Sequence, residues 1–242
     1  MPLDPHPGLP DAGPIMNDQP THTVTRDGLR DGSLLAAARL RAPAGTMFRS
    51  EADIQADLDA TLASHDPNAD VWLFGYGSLM WNPALHFAEC VPGGVRGWHR
   101  RFCLWLTMGR GTPENPGLML ALERGGSCHG ALFRIPAAHA RDELLLAWRR
   151  ELFTGAYKAR WVIAQTDDGP VRAATFVVNR DYPRYAGRLP DDRVAERLAK
   201  AAGTLGSCAS YLEQTLGSLQ QLGRRDRSME RLQALMPVTA EP

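Results

Sequence analysis

Cysteine is scarce in this 242-residue chain: Cys90, Cys103, Cys128 and Cys208 are widely spaced and form no CxxC pair. Disulfide scaffolds are short and cysteine-dense, so that source of stability is excluded. The seven His do not cluster with the Cys, which argues against a zinc site. Each Cys has apolar or small neighbours, so buried free thiols are expected. An excess of one charge is also missing: 27 Lys+Arg stand against 27 Asp+Glu. General polyanion binders carry a basic excess, so nucleic acid is not an expected partner. No apolar run approaches the ~20 residues of a membrane span. The N-terminus lacks the charged-then-apolar pattern of a secretion signal. These absences lead to the expectation of a soluble, cytoplasmic protein with no membrane partner. They set no oligomeric state, and a monomer is consistent with them.

What is present falls into three parts. Residues 1–22 are rich in proline and poor in aliphatic clusters, which predicts a disordered tail. Residues 23–68 predict a helical extension: one or two short helices before Ala44, then a helix over 50–64. In the latter Ser50 is the candidate N-cap, and Ala52, Ile54, Leu58 and Leu62 recur at helical spacing. Residues 69–238 form the main domain. Short β-like runs are predicted at 71–74, 95–106, 118–122, 129–135, 161–166 and 171–178. Asp167-Asp168-Gly169 is a hairpin signal between the last two. Helices are predicted over 138–152, 191–202, 207–222 and 226–235. The order is mixed rather than alternating, which favours an α+β domain with a small, mostly β core.

Two segments carry possible chemistry. Phe74-Gly75-Tyr76-Gly77-Ser78-Leu79-Met80-Trp81 places two glycines directly after a buried strand. Consecutive amides there can point into one concavity and hold a carboxylate, with the Ser78 hydroxyl in reach. A tight turn that needs glycine explains the same spacing. No GK[ST] follows and the third glycine of a dinucleotide loop is missing, so neither phosphate motif applies. The second segment is the helix over 138–152. Leu144, Leu145, Trp148 and Leu152 define its apolar face. Glu151, seven after Leu144 and three after Trp148, falls beside that stripe, while Arg149 and Arg150 are expected to reach solvent. Burial raises a carboxyl pKa and fits it for proton transfer near neutral pH. A frayed helix end meeting solvent or an Arg remains the other reading. Tyr157, just downstream, would place a phenol near Glu151 or simply pack.

Other features point to structure. Trp98-His99-Arg100-Arg101-Phe102 reads as a strand with one buried and one solvated face. Arg224-Arg225-Asp226-Arg227 reads as a solvated turn. Ser78 lacks the GxSxG surroundings of a hydrolase nucleophile.

Together the segments resemble one family, the ChaC γ-glutamylcyclotransferases, and Val71 to Pro83 looks like its opening strand and loop. The stretches that match are Val71 to Pro83, then Gly97-Trp-His-Arg-Arg-Phe-Cys, Gly109-Arg-Gly-Thr, Pro116-Gly-Leu-Met-Leu-Ala-Leu, and Trp148-Arg-Arg-Glu-Leu-Phe-Thr-Gly-Ala-Tyr. The resemblance covers roughly residues 71–236 and extends weakly upstream. It implies a small mixed β-barrel flanked by helices, the γ-glutamylcyclotransferase-like (BtrG-like) fold, with 69–238 as the catalytic domain. It implies a lyase reaction on glutathione, giving 5-oxoproline and cysteinylglycine without cofactor or metal. Glu151 matches the family's catalytic glutamate. Gly75, Tyr76, Gly77, Ser78, Leu79 and Met80 match its substrate loop, with Tyr157 beside them. A cyclotransferase for other γ-glutamyl amides or peptides, and a non-catalytic γ-glutamyl-metabolite-binding module, are the alternatives.

Overall fold

The computed structural model describes residues 24–237. The expected tail, residues 1–22, lies outside them. Three helices lead in: α1 (Arg26–Arg30), α2 (Ser33–Arg41) and α3 (Glu51–Leu62). Ser50 caps α3 in a reciprocal box: its hydroxyl accepts from the Asp53 amide at 3.1 Å, and the Asp53 carboxylate accepts from the Ser50 amide at 3.3 Å. The barrel strands follow as β1 (Val71–Gly75), β2 (Glu89–Leu106) and β3 (Gly117–Ile135). Helix α4 (Ala140–Leu152) precedes β4 (Tyr157–Thr166) and β5 (Gly169–Val178). Helix α5 (Asp191–Lys200), the short ribbon β6 (Ala202–Gly203) and β7 (Gly206–Ser207), α6 (Cys208–Gln221) and α7 (Arg227–Leu235) complete the domain.

Five strands close a barrel in the order β1-β3-β2-β4-β5. Closure comes from parallel pairing of β1 with β5, at Trp72↔Ala173 and Leu73↔Ala174. The other neighbours in that order pair antiparallel. Side chains of β1 alternate as a strand requires. Leu73 packs outward with Ile54, Leu144, Trp148 and Leu152 of α3 and α4. Phe74 joins a cluster made of strand residues, including Leu122, Leu132 and Val162. A separate cluster seats α5, α6 and α7 on Phe102, Leu118 and Leu120.

The predicted runs 118–122 and 129–135 are one strand. Between them Gly125 and Gly126 take φ of 104° and 68°, conformations that glycine tolerates. The register slips there, opposite the step from Arg96 to Trp98, and pairing resumes. The break between the two predicted runs is a bulge within one strand. The Asp-Gly signal behaves as expected: Thr166 pairs with Gly169 across a two-residue loop.

Three local readings need correction. Cys90 is exposed, while the other three cysteines are buried. Arg100 lies on the buried face expected of its strand, only 3% exposed, and Asp226 neutralises it at 3.3 Å. Asp226 also caps α7, so the turn at 224–227 is tied to the barrel as well as solvated. Arg150 is turned away from solvent.

Candidate active site

Helix α4 delivers Glu151 in its last turn. Leu152 and Phe153 are buried, and Gly155, at φ 75°, turns the chain out of the helix. The Asn179 side chain donates to the Gly155 carbonyl at 2.9 Å, which pins this turn to the end of β5. Strand β4 then begins at Tyr157, so Glu151 and Tyr157 flank one tight connection. The Tyr157 hydroxyl donates to the Leu120 carbonyl of β3 at 2.7 Å.

Both residues line a cavity of about 610 Å³. The Glu151 side chain keeps only 15% of its surface open, so it is largely removed from water. Desolvation raises its pKa above the ordinary carboxylate value, and the Arg150 guanidinium opposes the rise. The negative end of the α4 dipole adds to the preference for the neutral acid. Arg150 Nε lies 3.1 Å from Glu151 Oε1, and its Nη1 donates to the Asn82 carbonyl at 2.5 Å. Arg150, expected in solvent, is therefore a wall of the cavity. Its neighbour Arg149 bonds Glu51 at 2.7 Å and the carbonyls of Leu29 and Arg30.

The loop after β1 supplies another part of the lining. Tyr76, Gly77, Ser78 and Leu79 line the cavity. Gly75 and Met80 do not: Gly75 ends β1 in the core, and Met80 is buried against the α3–α4 side. The glycines serve close approach. A Cβ on Gly77 would meet the Tyr211 hydroxyl at 2.6 Å, and one on Gly75 would meet Leu79 Cβ at 2.9 Å. The Ser78 amide donates to the Tyr211 hydroxyl at 3.2 Å, so one amide of the expected nest already has a partner. Burial pushes the pKa values of Tyr76, Tyr157 and Tyr211 up, and the Glu151 charge adds to each. Three neutral phenols thus surround one carboxylate.

Tyr211, Arg110 and Arg184 also line the cavity and were not singled out from the sequence. Tyr211 sits on the buried face of α6 with Cys208, Leu212 and Thr215, a spacing that reads as plain core. Arg110 donates to the Ser207 carbonyl at 2.8 Å and to Ser210 Oγ at 3.0 Å. Its guanidinium lies 5.1 Å from the centre of the Tyr211 ring. Its one sequence signal was the Gly-Arg-Gly context. Among the described residues, no group of three His, Cys, Asp or Glu is placed to hold a metal ion. No helix among them is long and apolar enough to cross a membrane.

The fold and the site together define a class: a closed five-stranded barrel flanked by helices, with a cavity lined by one buried carboxyl, three arginines and a glycine loop. The comparisons with known proteins narrow it. The family model for ChaC-like proteins matches residues 71–238. The glutathione-specific γ-glutamylcyclotransferase of Escherichia coli is 41% identical over 210 residues, covering 86% of this chain and 90% of that protein. The corresponding Schizosaccharomyces pombe protein is 36% identical, over 67% of this chain and 89% of its own. The mouse glutathione-specific γ-glutamylcyclotransferase 1 is 30% identical, over 71% and 78%. The crystal structure of the yeast γ-glutamyl cyclotransferase specific to glutathione superposes with a TM-score of 0.64 at 21% identity, covering 69% of this chain and 96% of that one. The chain belongs to the ChaC family. Coverage of 86% in the E. coli comparison means that the likeness reaches upstream of Val71, into the helical lead.

Proposed function

We propose that this protein is a glutathione-degrading γ-glutamylcyclotransferase in which Glu151 moves the proton. The observation that carries the reading is the buried Glu151 carboxylate, with its raised pKa, across one cavity from the Gly77–Leu79 loop. The relatives bearing that activity in their names support it. The reaction is an intramolecular closure. The α-amine of the γ-glutamyl group attacks its own γ-carbonyl, forming the C–N bond of a five-membered lactam. The amide C–N bond to cysteine breaks. Holding amine and carbonyl in attack geometry supplies much of the rate. Glu151 accepts the proton released by the amine and returns it to the departing cysteinyl nitrogen, so one carboxylate is base and then acid. Neither water nor an electron carrier enters the balance.

Backbone amides of the Tyr76–Leu79 loop hold the substrate's α-carboxylate and polarise the carbonyl under attack. Tyr76 and Tyr157 complete the wall around the carboxylate. Gly75 and Met80 act indirectly, by shaping the loop. Residues 69–238 are the catalytic domain, 23–68 a helical extension, and the compartment a reducing cytoplasm. The partner is a small molecule, with neither nucleic acid nor membrane required.

Incubation of the purified protein with glutathione, followed by measurement of 5-oxoproline and cysteinylglycine, tests the reading. Equimolar release is expected. Binding without product would leave a sensing module instead. Faster turnover of another γ-glutamyl dipeptide would move the assignment to a different substrate.

A further inference from the structure

The charged groups lining the cavity are three guanidiniums, Arg110, Arg150 and Arg184, and one carboxylate, Glu151. Arg150 is paired with Glu151 at 3.1 Å. Among the described residues, no carboxylate lies within ion-pairing distance of Arg110 or Arg184. The two are held by different partners. Arg110 reaches α6, where its guanidinium covers the Tyr211 ring, and the Tyr211 phenol takes the Ser78 amide. Arg110 is therefore on the glycine-loop side. Arg184 shares none of these partners. It donates to Thr107 Oγ1 at 2.6 Å and lies 3.5 Å from Thr46 Oγ1. Its guanidinium also lies 5.8 Å from the centre of the Tyr182 ring. Hydroxyls and a ring orient this guanidinium and leave its charge uncancelled.

An uncompensated pair of cations in one cavity calls for a ligand with two anionic groups. Glutathione has two carboxylates, one at each end, and the proposed reaction fixes the γ-glutamyl end at the loop and Glu151. The second carboxylate, on the glycine of the leaving dipeptide, then needs a cation away from the loop. We infer that Arg184 is a specificity-determining residue that binds the carboxylate terminating the leaving group, and so selects γ-glutamyl peptides over γ-glutamyl amines. Thr46 lies upstream of the segment shared by the family model, so the helical lead helps to orient this arginine. The inference rests on the proposed reaction for the direction in which substrate lies.

Two ligands separate recognition from structure: glutathione, and glutathione with its glycine carboxyl converted to a primary amide. Calorimetry in a Glu151→Gln background measures binding without turnover. The protein with Arg184 intact should favour glutathione by about 10-fold, the scale of one charge-assisted contact in a partly open site. Arg184→Gln should remove that preference by weakening glutathione while leaving the amide within about 2-fold. Arg184→Lys keeps the charge and should retain part of it. Equal weakening of both ligands, or no preference with Arg184 intact, overturns the inference in favour of a purely structural arginine. Failure of both ligands to bind overturns it together with the proposed function. An Arg184-dependent preference without 5-oxoproline release from glutathione by the Glu151 protein sinks only the reaction.

Discussion

Arg150 and Glu151 are chain neighbours at the end of one helix, yet both turn into the same cavity, with Arg150 Nε 3.1 Å from Glu151 Oε1. Consecutive helical residues diverge by ~100°, and the length of the arginine side chain spans that angle. The pairing joins two opposed effects on one proton. Burial holds it on the carboxyl, and the guanidinium helps to release it.

The first prediction concerns pH. A base must be deprotonated, so activity falls as pH drops through the pKa of Glu151. Arg150 lowers that pKa. Arg150→Met should therefore move the acid limb of kcat/KM to higher pH, with a greater loss at pH 6 than at pH 8. A pH–rate profile of both proteins decides it, and an unmoved limb would show that Arg150 acts only through Asn82.

Glu151→Gln removes the base and keeps the shape. Turnover should fall at least ~100-fold. Stability should not fall with it. A buried carboxyl with a raised pKa destabilises the fold at pH above that value, and the penalty fades as pH drops through it. The amide lacks the penalty, so Tm near neutral pH should equal or exceed that of the Glu151 protein. A clear drop in Tm would mean that the ion pair with Arg150 outweighs desolvation.

Gly77→Ala places a methyl where the Tyr211 hydroxyl stands, 2.6 Å away. The loop or the phenol must shift. A displacement of this kind at an orienting group costs about 10- to 100-fold in kcat/KM. Tyr211→Phe in the same background removes the clashing oxygen and should restore part of the loss, as measured by steady-state kinetics.

A buried carboxylate away from the site holds the barrel. Glu123 is 1% exposed and bonds Arg101 at 2.7 Å, Arg180 at 3.0 Å and the Tyr185 hydroxyl. Burial alone would raise its pKa, but the Tyr185 bond and the two guanidiniums more than offset that and hold it low. Glu123→Gln should cost about 3 kcal/mol at pH 7, as for other broken buried pairs. The stabilisation is complete above the unfolded carboxylate pKa and is lost as pH falls through the lower folded one. Denaturant curves should therefore show the gap between the two proteins narrowing in acid.

The helical lead is fastened by Glu143. Its two oxygens accept from Arg26 at 2.8 and 2.6 Å, and Oε2 also accepts from the His86 amide at 2.8 Å. Asn82 donates to the Val24 carbonyl at 2.9 Å, and Val24 lines the cavity. Arg26→Met should destabilise by about 2 kcal/mol and speed proteolysis upstream of Ser50. Unchanged cleavage there would show that α1 is held by packing alone.

The sequence by itself determined the elements that depend on local chemistry. The Ser50 box, the Asp167-Asp168-Gly169 hairpin and the apolar stripe of α4 all follow from neighbours within four positions. The same range places Glu151 beside that stripe and marks the glycine loop, and the motif stretches were enough to indicate the family. Tertiary structure decided what no local window holds. Strand β3 runs through its glycines because β2 pairs on either side of them, a contact between residues far apart in the chain. Arg100 enters the core because Asp226, 126 positions later, neutralises it at 3.3 Å. Tyr211 reads as a core residue until the Ser78 amide meets its hydroxyl. Gly77 reads as a turn glycine until that same hydroxyl occupies the space a Cβ would need. The glycine loop and the carboxylate were each visible in the sequence. Barrel closure sets them across one cavity, and desolvation there shifts the Glu151 carboxyl.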